Sequence, residues 1–197
     1  SAGYIQAYPP GVRENGGQYS HAGVWAVMAR TMMARDAGEA GDIAYRHFTW
    51  LSPAHRAAHP VHGPVYGLEP YAVAGDVCSQ PPYVGRGGWS WYTGAAGWLH
   101  RAAIESFFGL RLDGDALHFV PCLPATWPQA EITLVRDDRT MHFVLRREAP
   151  GRVPDAQERV LRPGQALRWR ELPAGEWQFV VPLRFEPVSP TLAMAAA

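Results

Sequence analysis

"FFGLRLDGDALHFV", Phe107 to Val120, is where the chain changes its hydrophobic period. Before Gly109, apolar side chains recur every three or four positions. After it they alternate. The first spacing lines one face of a helix and the second lines one face of a strand. The chain therefore reads as mainly α and then β, with the change near Gly109.

Upstream, "TGAAGWLHRAAIESFFGL" predicts a helix over Thr93 to Leu110. "HAGVWAVMARTMMARD" puts Val24, Val27, Met28, Thr31 and Met32 at helical spacing, and Gly38 ends that run. A second helix is predicted over Glu39 to Leu51, with Ile43, Tyr45, His47, Phe48 and Trp50 on its apolar side. Ser52-Pro53 stops it, because proline disfavours helix in the residue before it. Pro53 to Gly88 reads as irregular, with some helix in "LEPYAVAGDVCS".

Downstream, three alternating pairs of runs surround turn residues: Asp113-Gly114, Asp137-Asp138, and Pro173 to Gly175. Each predicts a hairpin, and together an antiparallel sheet or sandwich. The organisation is helical over 1–110 and β over 111–187, with a frayed tail over 188–197. Three helices so rich in aromatics are a poor closed unit and read as the last part of a larger helical domain.

Composition sets outer limits. Of 197 residues 47% are hydrophobic, enough for a sizeable core, and 18 basic residues balance 18 acidic ones. That balance supplies no basic stripe for nucleic acid. No apolar run is long enough to span a bilayer. Cys78 and Cys122 have no metal or redox spacing; they allow one disulfide, but two free thiols in a reducing compartment is the simpler reading. The first residues have neither the charged nor the apolar region of a signal peptide.

The loops carry the chemistry. "RENGGQYSH", Arg13 to His21, puts Glu14, a Gly-Gly pair and His21 directly ahead of a helix, and Ser20 there is a good cap. Thr93 and Gly94 open another helix. Helix starts expose unpaired N–H groups, so imidazole, hydroxyl and bare backbone at two such starts suit one phosphate if they converge. Capping plus a tight turn explains the same residues without a ligand. Glu14 can accept sugar hydroxyls or pair with Arg13. Trp89 and Trp91, on one side of an extended stretch, can stack on a pyranose. Arg86 suits a phosphate or Asp76. His55, His59 and His62 have a ligand-like spacing, but Pro60 and Pro64 break the helix that metal binding there would need.

"YPPGVRENGGQYSHAGVWAV" (Tyr8 to Val27), "EPYAVAGDV" (Glu69 to Val77), "PPYVGRGGWSWYTGAAGW" (Pro81 to Trp98) and "GLRLDGDALHFVPCLPATWP" (Gly109 to Pro128) together resemble the inverting glycoside phosphorylases of the cellobiose and chitobiose phosphorylase family. The wording is most similar to the C-terminal phosphorylase-like module of cyclic β-1,2-glucan synthases.

The resemblance implies the last helices of an (α/α)6 barrel followed by a small antiparallel β-sandwich. It implies phosphate binding by His21, Thr93 and Gly94, and a sugar contact by Glu14; Arg13, Trp89 and Trp91 are the further sugar-side candidates. The implied partners are a β-linked glucan or oligosaccharide, inorganic phosphate as co-substrate with no other cofactor, and the rest of the same polypeptide. Nucleic acid, membrane and metal have no implied place. The implied reaction gives α-glucose 1-phosphate with inversion. The implied general acid is an aspartate of a motif upstream of this chain, so the segment alone is expected to be inactive. A cytoplasmic location follows, with an inner-membrane anchor elsewhere if the parent is a glucan synthase. A carbohydrate-binding or regulatory module without catalysis, and a unit whose His21 and Thr93 only cap helices, are the competing readings.

Overall fold

The computed structural model describes residues 2–149 and 151–183. The tail expected over 188–197 and the end of the expected β domain, 184–187, lie outside the described residues. The described chain forms two compact units: residues 2–30 with 43–102, and residues 31–42 with 103–183.

In the first unit, β1 (Gln18–Tyr19) leads into α1 (Ser20–Asp36), whose last turns belong to the second unit. Next come α2 (Asp42–Leu51), α3 (Pro53–Ala58), α4 (Gly63–Tyr66), β2 (Asp76–Val77), β3 (Gly87–Gly88) and α5 (Ala95–Arg101). The three two-residue strands form one antiparallel sheet with β2 in the centre. Val24, Val27 and Thr31 of α1 are fully buried, as their spacing predicts, but Met32 is exposed. The buried face of α2 is Ala44 and Leu51, whereas Ile43 and Trp50 stand in solvent. The expected apolar side was therefore rotated, because aromatic residues weigh heavily in a sequence pattern whichever face they occupy.

Two other expectations are corrected here. α2 ends at Leu51, as Ser52-Pro53 predicts, but the segment expected to be irregular after it is partly helical: Pro53 opens α3 as its first residue, where its missing N–H costs nothing, and α4 follows. "LEPYAVAGDVCS" is not helical: it holds a turn and then β2.

α5 passes into a π-helical segment, Ala102–Phe108, which belongs to the second unit from residue 103 on. Arg35 donates from one guanidinium nitrogen to the carbonyls of Glu105 and Ser106 in that segment. Burial lowers the Arg35 pKa from its ordinary value. The helix expected over Thr93 to Leu110 is thus present, but its second half is not α.

Strands follow at Gly109, as the period change predicts. β4 (Leu110–Asp113) and β5 (Ala116–Phe119) form a hairpin, and so do β6 (Gln129–Arg136) and β7 (Arg139–Arg147). The third expected hairpin does not form. β8 (Leu167–Arg168) pairs antiparallel with β5, and β9 (Gly175–Leu183) pairs parallel with β7. One sheet is therefore antiparallel and the other mixed. Phe119 of the first sheet meets Phe143 of the second at a tilted centroid distance of 4.8 Å, and Phe143 stacks on Phe179, its partner in the same sheet, at 5.3 Å. Leu117, Met141, Leu145 and Val181 are fully buried around these rings. Each such side chain contributes about 1.5–3 kcal/mol of transfer free energy.

On the surface of this unit, Glu158 accepts from Arg152 at 2.8 Å and from Arg146 at 2.9 Å. The hydrogen bonds from Arg152 and then Arg146 lower its pKa to about 2 from 4.5. A carboxylate depressed in the folded state contributes stability above its unfolded pKa and loses it as pH falls through the folded one. Acid titration of stability between about pH 4.5 and 2 should therefore be shallower in Glu158→Gln than in the parent. Identical acid limbs in thermal melts of the two proteins would contradict this.

Candidate functional site

The loop before α1 is fixed by its own backbone. Gly11 N–H donates to Asn15 C=O at 2.7 Å, Asn15 N–H to Val12 C=O at 3.0 Å, and Gly17 N–H to Arg13 C=O at 3.0 Å. The Asn15 amide reaches Tyr8 C=O at 2.8 Å. A Cβ on Gly17 would lie 2.8 Å from Arg13 N, so only glycine lets the loop close this tightly. Arg13 takes a left-handed conformation, with φ of 50°. Its N–H donates to Asp76 Oδ2 at 2.5 Å.

The Arg13 guanidinium lies 4.8 Å from the ring centroid of Trp89 and 5.5 Å from those of Tyr8 and Tyr19. This is a cation held among aromatic faces. Its Nε is buried, with Glu14 as the nearest carboxylate at 3.9 Å. Glu14 is held no more tightly than that, and its side chain is 25% exposed.

Tyr19 stacks on His21 at 6.3 Å, and His21 meets Trp25 at 4.9 Å and Trp98 at 5.9 Å. Trp25 and Trp98 also meet edge to face. A Cβ on Gly94 would sit 3.7 Å from His21 Cε1. The two helix starts expected to converge therefore do converge, across 72 positions of sequence. Thr93 Oγ accepts the Ala95 N–H at 3.1 Å and leaves the Gly94 N–H to other partners. Gly75 packs between Trp89 and Thr93, where a Cβ would meet theirs at 2.9 and 3.5 Å.

Arg13, Glu14, Trp89, His21, Thr93 and Gly94 thus belong to one continuous set of contacts. Trp91 does not join it. Trp89 and Trp91 have φ of 57° and 63°, so the segment is a turn and not the extended stretch that would align them. Trp91 is 72% exposed and touches Tyr71. Arg86 stacks on Tyr83 at 5.5 Å instead of pairing with Asp76. A cleft of about 410 Å³ beside the loop is lined by Asp76, Tyr83, Arg86 and Trp89.

The histidines of the 55–62 segment make local bonds. His55 Nδ1 meets Ser52 Oγ at 2.9 Å, and His59 Nδ1 accepts the N–H groups of Val61 and His62. Among the described residues no group of three or more His, Cys, Asp or Glu is placed to hold a metal ion. Nor is any helix among them long and apolar enough to cross a membrane.

Five residues of the site, Tyr8, Tyr19, Trp25, Asp76 and Trp98, were not singled out from sequence. Trp25 and Trp98 each lie four positions after a site residue, His21 and Gly94, and so stand one helical turn above it. That spacing was a readable signal. Asp76, 3% exposed, drew notice only as a partner for Arg86.

Residues 1–109 match the glycosyl hydrolase 94 superfamily, catalytic domain. The cyclic beta-(1,2)-glucan synthase NdvB of Rhizobium meliloti is 50% identical over 126 residues, 64% of this chain and 4% of that protein. The solabiose phosphorylase of Paenibacillus borealis is 28% identical over 147 residues, 74% of this chain and 18% of the relative. The N,N'-diacetylchitobiose phosphorylase of Vibrio furnissii is 28% identical over 172 residues, 84% of this chain and 20% of the relative. The chain therefore spans a fifth or less of the length of these curated relatives.

Proposed function

Because the chain belongs to the glycosyl hydrolase 94 superfamily, we propose that it forms the phosphate and sugar side of a glycoside phosphorylase site. His21, Thr93 and Gly94 receive inorganic phosphate, and Glu14, with Arg13 and Trp89 behind it, receives the sugar beside the scissile bond. The observation that carries this reading is the approach of His21 Cε1 to Gly94, with Glu14 linked to His21 through Arg13 and Tyr19.

Phosphate attacks the anomeric carbon from the face opposite the glycosidic oxygen. The C–O bond to the leaving sugar breaks, and a carboxylic acid protonates the departing oxygen. The product is a sugar 1-phosphate of inverted configuration. The geometry parallels inverting hydrolysis, with phosphate in place of water. Phosphate is already nucleophilic, so the protein's part is to position it and stabilise its charge.

No aspartate of this chain fits the acid: Asp76 is buried and engaged by Arg13. The acid comes from another part of the polypeptide, as the family resemblance implies. That part completes an (α/α)6 barrel with α1, α2 and α5, whose Trp25 and Trp50 expose half their surface. The 50% identity to a glucan synthase favours a β-1,2-linked glucoside as substrate.

Phosphate should raise the melting temperature of this chain in proportion to the logarithm of its concentration above Kd. Sulfate at equal ionic strength should raise it less. The gene product carrying this segment should release α-glucose 1-phosphate from β-1,2-glucan only when phosphate is present. Stabilisation without turnover would favour a non-catalytic carbohydrate or regulatory module. Neither effect would leave His21 and Thr93 as helix-start residues only.

A further inference from the structure

We propose that Asp76 is the positioning residue of the Arg13–Gly17 loop: it fixes the Arg13 peptide in its left-handed turn and so aims Glu14 at the sugar. The inference rests on the reading of Glu14 as the sugar-side carboxylate.

Asp76 occupies the central strand of the β1-β2-β3 sheet. Its backbone lies opposite Tyr19 on one side and Gly88 on the other. The preceding residue ties the same two neighbours together. Ser20 N–H, at the start of α1, donates to Gly75 C=O at 3.0 Å, and Gly75 N–H donates to Gly88 C=O at 2.8 Å. The backbone of Gly75-Asp76 thus joins the base of the His21 helix to the segment that carries Trp89. The Asp76 side chain adds the third part. Its Oδ2 accepts the Arg13 N–H across 63 positions of sequence.

That bond acts on the peptide of Arg13 and not on its charge, since the guanidinium turns to aromatic rings and to Glu14. A non-glycine residue at φ of 50° is strained and keeps that conformation only where its surroundings hold it. An oxygen 2.5 Å from the N–H at a site 3% exposed is such a hold, because a buried N–H left without a partner is costly. Glu14 follows directly, and no tight contact of its own sets its direction. Its aim is therefore inherited from Arg13. What Asp76 must supply is an acceptor oxygen at the right reach. Asparagine can supply it, whereas alanine and serine cannot.

The test compares Asp76→Ala and Asp76→Asn with the parent in two measurements. The first is amide hydrogen exchange in this chain, read over residues 9–19 against α1. Asp76→Ala should speed exchange over 13–17 and leave α1 protected, and Asp76→Asn should behave as the parent. The second is phosphorolysis by the gene product. Asp76→Ala should raise KM for the glucoside about tenfold, a fraction of what a 1 Å misplacement can cost, and shift KM for phosphate by less than about twofold. Asp76→Asn should restore both.

Asp76→Ser replaces the alanine variant if that protein does not fold. Unchanged exchange over 13–17 would overturn the proposal. So would an asparagine variant as impaired as alanine, or equal damage to both KM values. Absence of phosphorolysis in the parent would overturn the functional reading instead, and loss of loop protection in Asp76→Ala would still uphold the hold of Asp76 on Arg13.

Discussion

Replacing His21 by alanine should reduce kcat/KM for phosphate by about a hundredfold, the equivalent of about 2.7 kcal/mol, and should move KM for the glucoside little. A hydrogen bond to a charged group contributes about 1.5–3 kcal/mol. Removing one donor from the charge developed in a transition state costs a similar amount or more. The imidazole is suited to this role by its surroundings: Tyr19, Trp25 and Trp98 pack against the ring while its Cε1 edge approaches Gly94. Truncation also leaves a hole among these rings, so lost packing must be separated from a lost donor. His21→Phe fills the space without donating, and His21→Asn donates without filling it. If the donor matters, phenylalanine should be as poor as alanine in phosphate use while melting closer to the parent. Asparagine should recover part of the rate. Phosphate dependence that follows melting temperature across the three variants would reduce His21 to a packing residue. The measurement is initial rate against phosphate concentration at saturating glucoside, in the gene product that carries this segment.

Local sequence signals were readable where one short interval decides the outcome. The change of period at Gly109 marks the helix-to-strand change, and the turn residues at Asp113-Gly114 and Asp137-Asp138 mark two real hairpins. What could not be read depended on partners distant in sequence. Alternation does not distinguish a strand that returns beside its predecessor from one that crosses to another sheet. β8 and β9 therefore looked like a hairpin although they belong to different sheets. One cue was present: five consecutive buried residues, Phe179 to Leu183, end β9, and unbroken apolar runs are typical of parallel strands. Trp89 and Trp91 misled for a different reason. Alternation assumes an extended backbone, and two positive φ values turn that segment. The meeting of His21 with Gly94 was anticipated as a condition only, since helix starts announce their chemistry but not their neighbours. Asp76 was hidden because its task is performed on a peptide 63 residues away.

Gly109→Ala should be the most disruptive single-methyl change in the second unit. Gly109 has φ of 72°, and an alanine held in that region costs about 1–2 kcal/mol. The methyl also has nowhere to go. Built on this backbone, it would lie 2.0 Å from the Val120 carbonyl oxygen, 2.2 Å from Val120 C and 2.6 Å from Pro121 N. All three are main-chain atoms, so no side chain can rotate aside. Nor can the hairpin retreat freely. Val120 N–H donates to Gly109 C=O at 2.9 Å, Cys122 N–H donates to Phe107 C=O at 2.8 Å, and Leu110 already pairs with Phe119. Relief of the clash must break these links between the helix end and β5. Overpacking of this kind adds about 1–3 kcal/mol, for a total of about 2–5 kcal/mol and a fall in melting temperature on the order of 10 °C. Gly114→Ala isolates the conformational part. Gly114 has φ of 60° but nothing within 4 Å of an added Cβ, so it should lose only the 1–2 kcal/mol of strain. Urea midpoints for the two variants measured side by side decide the matter. Equal midpoints would mean that the hairpin yields easily and that Gly109 is required for its backbone angle alone.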